Sequence, residues 1–176
     1  MSVEEENKKA NVYMQRAMEL AAIAEEEGEV PVGAVIVLDG EIIGEGWNRS
    51  IGSHDATAHA EMMAIKQAGS KIENYRLVDA TLYVTLEPCP MCAGAIVHSR
   101  IKNVVFGATD MKTGASGSVI NLFTSATAFH FVECASGVME EECRAQLQAF
   151  FKRRRKEKKE ERKVQREAEL KNQMME

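Results

Sequence analysis

A run of mostly β-branched residues at positions 30–38 is followed at once by Asp39-Gly40, and this combination restricts the possible folds most. The run contains no charged residue and is long enough for a buried strand. Asp-Gly favours the left-handed backbone conformations of a two-residue hairpin turn. We therefore predict that residues 41–47 return as the antiparallel partner strand.

Helical and extended patterns alternate along the chain on either side of this hairpin. Apolar residues recur at helical spacing at Tyr13, Ala17, Leu20 and Ala24. This first helix is predicted to end near Gly28, and a second helix at residues 59–69 is predicted to stop at Gly69. The remaining predicted elements are helices at 90–98 and 139–151 and strands at 80–86, 104–107 and, more weakly, 130–134. The pattern predicts a three-layer α/β/α sandwich around a mixed five-stranded sheet.

The length of 176 residues, 45% of them hydrophobic, suits one domain with an apolar core. We place this domain at residues 1–156 and interpret residues 157–176 as a charged C-terminal tail that is helical or disordered. Residues 152–176 carry 11 Lys/Arg and 6 Asp/Glu, whereas the rest of the chain carries 11 and 21. The net charge of −5 therefore does not exclude local binding of a polyanion. The basic segment is either a solvated surface or a nucleic-acid contact.

The start of the sequence, with Glu4, Glu5 and Glu6, is unlike a secretory or mitochondrial signal. The longest run without a charged residue, positions 113–132, is rich in Ser, Thr and Gly and does not resemble a membrane span. We expect a soluble cytoplasmic protein that does not bind membranes. Disulfides are not expected there, so Cys134 and Cys143 are predicted to be buried as small apolar residues.

Two motifs about thirty residues apart carry metal-binding groups: His59-Ala60-Glu61 and Pro88-Cys89-Pro90-Met91-Cys92. Cysteines three apart at a helix start lie on nearly the same face, so both sulfurs can reach one ion. Pro90 suits the first helical position, which makes Cys89 the cap residue. Two thiolates, one neutral imidazole and Zn²⁺ also sum to zero formal charge.

These motifs supply three protein ligands for zinc, namely His59, Cys89 and Cys92. A structural zinc site normally has a fourth Cys or His, whereas a catalytic site keeps one position open. Glu61, two residues from the first ligand, is placed to carry protons. The Cys-x-x-Cys pair alone is equally consistent with a redox or structural metal site. The two motifs together favour a zinc-dependent deaminase.

Several further motifs resemble those of the bacterial tRNA-specific adenosine deaminases, over about residues 12–155. They are Glu29-Val-Pro-Val-Gly-Ala34, Gly44-Glu-Gly-Trp-Asn48, Thr57-Ala-His-Ala-Glu-Met62, Asn74-Tyr-Arg-Leu77, Thr85-Leu-Glu-Pro-Cys-Pro-Met-Cys-Ala-Gly94, Val105-Phe-Gly-Ala108 and Lys112-Thr-Gly-Ala115. The resemblance implies a cytidine deaminase-like fold and one Zn²⁺ per subunit. It also implies a homodimer that converts adenosine to inosine at the wobble position in the anticodon loop of tRNA.

By the same resemblance, Asn48 would hydrogen-bond the flipped base and Asp110 would contact the sugar of a neighbouring nucleotide. From the residues alone, Asn48 is equally a strand-end turn residue and Asp110 a loop or cap residue. Phe150, Phe151 and the basic residues 152–156, including Arg154 and Arg155, are candidates to cover the RNA loop. For the two phenylalanines the alternative is packing in the core.

Two other functions use the same motifs. A deaminase of a free base or nucleoside, such as guanine or cytosine, needs the same zinc centre. A non-catalytic RNA-binding partner subunit is the second alternative. The presence of Glu61 argues against the second, because an inactive partner has no need of a proton carrier.

Overall fold

The computed structural model describes residues 3–126 and 128–173. Its helices and strands follow the predicted order along the chain. They are α1 (Val3–Glu26), β1 (Gly33–Leu38), β2 (Glu41–Trp47), α2 (Ala60–Ile72), β3 (Thr81–Leu86), α3 (Pro90–His98), β4 (Asn103–Ala108), β5 (Glu133–Ser136) and α4 (Glu140–Gln173).

The strands form one five-stranded sheet in the order β2-β1-β3-β4-β5. Strand β1 is antiparallel to both β2 and β3, whereas β3, β4 and β5 are parallel to one another. The sheet is therefore mixed, as predicted. Asp39 and Gly40, with φ of 52° and 82°, both adopt the left-handed conformation that a tight hairpin turn requires.

The side chains of β1 alternate between the two faces of the sheet. Val35 and Val37 pack against Leu20 of α1. Ala34 and Ile36 belong to the larger core cluster, which also contains Ala60, Ala64 and Ala68 of α2 and Ala93 and Ile96 of α3. Helix α4 packs beside α1, where Cys143 contacts the cluster of Met14 and Ala17. Helices therefore cover both faces, and the predicted three-layer α/β/α sandwich is confirmed.

Two boundaries differ from the predictions. Helix α2 does not stop at Gly69 but continues to Ile72, where Glu73 adopts φ 55° and its N–H bonds the Gly69 carbonyl. A glycine only lowers helix propensity, and the left-handed cap is what ends the helix. The last strand lies at Glu133–Ser136 rather than at 130–134, because its register is set by pairing with β4.

The two cysteines outside the zinc motifs differ in burial. Cys143 is buried, as predicted. Cys134 is exposed, so the prediction for this residue is wrong. It lies on β5, whose four residues are all exposed at the edge of the sheet.

Helix α4 runs without a break across residues 156 and 157, where the predicted domain was taken to end. The predicted tail is thus helical as far as Gln173, and residues 174–176 lie outside the described part. Within the described residues, no helix combines the length and the apolar character needed to cross a bilayer.

Candidate metal centre

The starts of two helices bring the predicted metal ligands together. His59 is the N-cap residue of α2 (φ −77°, ψ 156°) and Cys89 is the N-cap residue of α3 (φ −75°, ψ 171°). Cys92 lies in the first turn of α3, and Glu61 lies in the first turn of α2. Pro90 occupies the first position of α3 as predicted.

The three ligand side chains have the spacing of one metal site. The Nδ1 atom of His59 lies 3.7 Å from the Cys89 sulfur and 3.6 Å from the Cys92 sulfur. All three ligand atoms lie within 4.8 Å of one another. Zn–S and Zn–N bonds of about 2.3 and 2.0 Å give tetrahedral edges of about 3.6 Å. The donor set and its spacing therefore fit Zn²⁺.

In the absence of a metal ion, the thiols of Cys89 and Cys92 have different pKa values. The hydrogen bond from Cys92, followed by that with His59, lowers the pKa of Cys89 to about 4. The bond to Cys89 and burial raise the pKa of Cys92. The bond to Cys89 also raises the pKa of His59. One thiolate is thus already present at neutral pH, and a bound metal displaces the remaining protons.

Glu61 is a buried carboxyl group beside these ligands, with 4% of its surface exposed. Burial, and then the negative charge of Cys89, raise the pKa of Glu61 to about 7. A carboxyl group with a pKa near neutrality can both accept and donate a proton at the working pH. This residue has the properties of a general acid–base.

Close packing against β2 fixes the start of α2. A Cβ atom at Gly46 would collide with the backbone of Ala60 and Ala64, so only glycine permits this approach. The side-chain oxygen of Asn48 accepts a hydrogen bond of 2.9 Å from the Ala60 N–H. Asn48 therefore holds the helix turn that carries a candidate metal ligand and the buried carboxyl. Its contact with a base stays a prediction.

Asp110 organises its own loop. Its Oδ1 accepts hydrogen bonds from the N–H groups of Lys112 and Thr113, at 2.8 and 3.2 Å. Its Oδ2 accepts a bond of 2.7 Å from the Thr113 hydroxyl. Asp110 thus acts as a loop residue, one of the two roles that its sequence position alone suggested. The predicted contact with a sugar stays a prediction.

Glu87 was not assigned a role from the sequence, yet it joins this loop to the metal-ligand turn. Its side chain is 2% exposed. Its carboxylate accepts hydrogen bonds from the N–H groups of Asp110 (3.0 Å), Ser116 (3.1 Å) and Ser118 (3.0 Å) and from the Ser118 hydroxyl. The next residue, Pro88, accepts a bond of 2.9 Å from the Ala115 N–H. In the sequence it stood out only as a charge between a strand and Cys89, inside one of the motifs that carry the family resemblance.

We predict that Glu87→Gln destabilises the protein by about 1–3 kcal/mol, because an amide presents N–H groups to partners that are themselves donors. Hydrogen exchange should accelerate in residues 110–118, and urea unfolding should show the lost stability. Glu41→Gln, at an exposed position, is the matched control. Equal exchange in the two variants would contradict the proposed role of Glu87.

The candidate RNA-contact residues lie on α4. Phe150 is 4% exposed and belongs to the core, so a role in covering RNA is wrong for this residue. Phe151 is 44% exposed and stacks edge-on against Phe150, with ring centroids 5.3 Å apart. Phe151, Arg154 and Arg155 line one surface depression together with Lys158 and Glu161. The candidate metal ligands do not line this depression.

Comparison with known proteins agrees with this geometry. Residues 7–108 match the cytidine and deoxycytidylate deaminase zinc-binding region. The tRNA-specific adenosine deaminase of Haemophilus influenzae is 58% identical over 147 residues, which cover 83% of this chain and 85% of that protein. The enzyme of the same name from Bacillus subtilis is 52% identical over 148 residues, covering 84% and 92%.

Solved structures show the same relationship. A structure from a study of A-to-I editing by tRNA:A34 deaminases is 44% identical, with a TM-score of 0.75, covering 77% of this chain and 98% of that chain. A guanine deaminase from Bacillus subtilis is 35% identical with a TM-score of 0.54, covering 72% and 87%. These matches confirm the resemblance inferred from the sequence motifs. The chain belongs to the cytidine and deoxycytidylate deaminase zinc-binding family and, within it, to the tRNA-specific adenosine deaminases.

Proposed function

We propose that this chain catalyses the hydrolytic deamination of adenosine to inosine at the wobble position of a tRNA anticodon. The observation that carries the proposal is the buried carboxyl of Glu61 beside His59, Cys89 and Cys92. The relatives at 58% and 52% identity, both named tRNA-specific adenosine deaminases, support the choice of substrate.

His59, Cys89 and Cys92 would hold one Zn²⁺ per subunit. Three protein ligands are the arrangement of catalytic rather than structural zinc sites. The bound ion supplies Lewis acidity, which makes water a competent nucleophile at neutral pH. The charges of Zn²⁺, two thiolates and a neutral imidazole would sum to zero, which favours a half-buried position. The positive ends of the two helix dipoles would further stabilise the thiolates.

Glu61 moves the protons of the reaction. Its carboxylate accepts a proton from water as the water oxygen forms a bond to carbon six of the adenine ring. It passes this proton to the ring nitrogen beside carbon six. A second proton from the same oxygen goes to the amino group, the carbon–nitrogen bond breaks, and ammonia leaves. The net reaction consumes one water and gives inosine and ammonia.

The remaining candidate residues would bind the RNA around this centre. Asn48, whose side-chain oxygen caps α2, would present its amide nitrogen to the flipped base. Asp110 would contact a neighbouring nucleotide from the loop that Glu87 holds. Phe151, Arg154 and Arg155 share one surface depression and would cover the anticodon loop. We further propose a homodimer and a cytoplasmic location, where tRNA is modified.

A free purine is the alternative substrate, favoured by the 35% identity to a guanine deaminase. We predict that the purified protein forms inosine in an anticodon stem-loop with adenosine at the wobble position. Free adenosine and guanine should react at least about 100-fold more slowly, because phosphate contacts supply much of the binding. The rate at low RNA concentration should fall steeply as salt rises.

Digestion of the RNA and mass spectrometry measure the inosine directly. A stem-loop with guanosine at the wobble position is the control and should remain unchanged. Efficient turnover of guanine together with no inosine in the RNA would contradict the proposed substrate. It would leave the zinc centre and Glu61 in place as the chemistry of a free-base deaminase.

A further inference from the structure

One face of α4 carries a row of basic side chains that continues beyond the RNA-contact residues already discussed. We call this row the basic ridge: Arg154, Arg155, Lys158, Lys159, Arg162 and Arg166. At 3.6 residues per turn, these six positions fall within an arc of about 140° on the helix surface. All six side chains are exposed. The ridge spans about 18 Å along the helix axis.

The acidic residues of the same segment lie mostly on the other side of the helix. Glu157, Glu160 and Glu167 project from the opposite half, Glu161 borders the ridge, and Glu169 falls within the arc but lies beyond Arg166, the last ridge residue. Glu157 pairs with Arg153 and Arg154, and Glu167 pairs with Lys163. Lys158, Arg162 and Arg166 form no salt bridge with any residue in 3–126 or 128–173. The ridge therefore presents concentrated positive charge to solvent.

The ridge begins where α4 leaves the core of the domain. Leu147 packs in the core cluster that contains Ala115 and Phe123, from the segment after β4 that Glu87 and Pro88 anchor. Phe151, one turn after Leu147, lies on the same helix face. The ion pair of Arg153 with Glu25 joins α4 to α1, and the described side chains that follow are exposed apart from Glu157. The helix thus carries the ridge away from the domain body.

We propose that Lys158, Arg162 and Arg166 bind phosphates of a base-paired tRNA stem next to the loop that is deaminated. This inference rests on the proposed function. The spacing of four residues places the three charges in one line, and a rigid line of cations fits a duplex phosphate backbone without reading its sequence. The resemblance to the tRNA deaminases ends near residue 155, so these three residues lie beyond it.

Charge complementarity favours a nucleic acid over an acidic protein as the occupant. The ridge carries no exposed apolar side chain between Arg154 and Arg166 within its arc, since Val164 lies on the opposite half of the helix. A protein interface normally has an apolar centre, whereas a phosphate contact needs none. The charged arc is thus suited to a polyanion.

The test compares two triple variants of the full chain with equal changes in net charge. Lys158→Glu/Arg162→Glu/Arg166→Glu alters the ridge, and Lys8→Glu/Lys163→Glu/Lys171→Glu alters exposed positions outside it. Binding is measured by fluorescence anisotropy, and deamination by inosine formation, for a complete anticodon arm and for the same loop on a two-base-pair stem. Circular dichroism checks that both variants keep their helix content.

The ridge variant should bind the complete arm roughly 10–100-fold more weakly at about 0.1 M salt, with a salt slope smaller by about 2–3. Its kcat and its binding of the short-stem loop should stay within about threefold of wild type. The control variant should change little with either RNA. Equal losses in the two variants, or unchanged binding of the arm by the ridge variant, would overturn the inference.

Failure of the proposed function gives a different pattern. In that case, wild-type protein forms no inosine in either RNA. The anisotropy measurements with the complete arm and with the short-stem loop would then still decide whether the ridge binds a stem. If wild type and the ridge variant form inosine equally well and bind the complete arm with equal affinity, the ridge proposal is wrong and the proposed function stands. Tight binding of an acidic protein with no binding of the arm assigns the ridge to another class of partner and also overturns the inference.

Discussion

Replacing Glu61 with Gln should lower kcat by about 10³-fold or more while zinc stays bound and the fold is unchanged. General acid–base groups contribute about 10²–10⁴-fold, and Glu61 serves more than one proton transfer in the proposed reaction. The amide keeps the shape of the side chain but cannot take a proton from water. Steady-state inosine formation gives kcat, and metal analysis of the purified variant gives its zinc content.

The control is Glu73→Gln, which changes an exposed carboxyl at the other end of the same helix. It should keep wild-type kcat.

Burial raises the pKa of Glu61 to about 7, and a bound cation favours the charged form. The acid limb of kcat/KM should therefore have its midpoint at or below about pH 7, with activity falling as pH falls. Full activity of Glu61→Gln would remove the proposed mechanism.

The same residue has a consequence for stability. The folded pKa of Glu61 lies above its unfolded value of 4.5, so its favourable contribution is complete below pH 4.5 and is lost as pH rises through about 7. The metal-free Glu61→Gln variant should therefore unfold at a higher urea concentration than metal-free wild type at pH 8. A residue that destabilises the fold at working pH is expected where a site serves chemistry.

Local sequence signals predicted the elements that local chemistry determines. Asp39-Gly40 specified the turn because few residues adopt two successive left-handed conformations. Pro90 specified the first residue of α3 because it needs no N–H partner there. The positions of the candidate metal ligands at helix starts followed the same logic, since each motif opens a helix. These positions were predictable because their structural requirement lies within a few residues.

Features that depend on distant partners were not predictable in the same way. The hydrogen-bond donors of Glu87 lie 23–31 residues away, and most are backbone N–H groups without a sequence signature. Strand β5 takes its register from β4 across a long loop, and this placed Cys134 at an exposed edge. The end of α2 was determined by the left-handed Glu73 rather than by Gly69.

Replacing Cys92 with Ala should abolish measurable deamination and destabilise the protein, because this buried sulfur is one of the three candidate metal ligands found among residues 3–126 and 128–173. A ligand that binds the folded state alone stabilises it by about 4 kcal/mol when present at about 1,000 times its Kd. The variant should therefore lose up to about that amount of unfolding free energy in zinc-containing buffer. Chelation of wild-type protein should have the same effect, and added zinc should reverse it.

Cys134→Ser is the matched control, since it removes an exposed thiol that is outside the candidate site. It should keep wild-type zinc content, stability and activity. Comparison with Glu61→Gln then separates the two roles in the centre: loss of the ligand removes metal, stability and activity, whereas loss of the carboxyl removes activity alone. Retention of one zinc per subunit by Cys92→Ala would show that another group completes the site and that the assigned ligand set is incorrect.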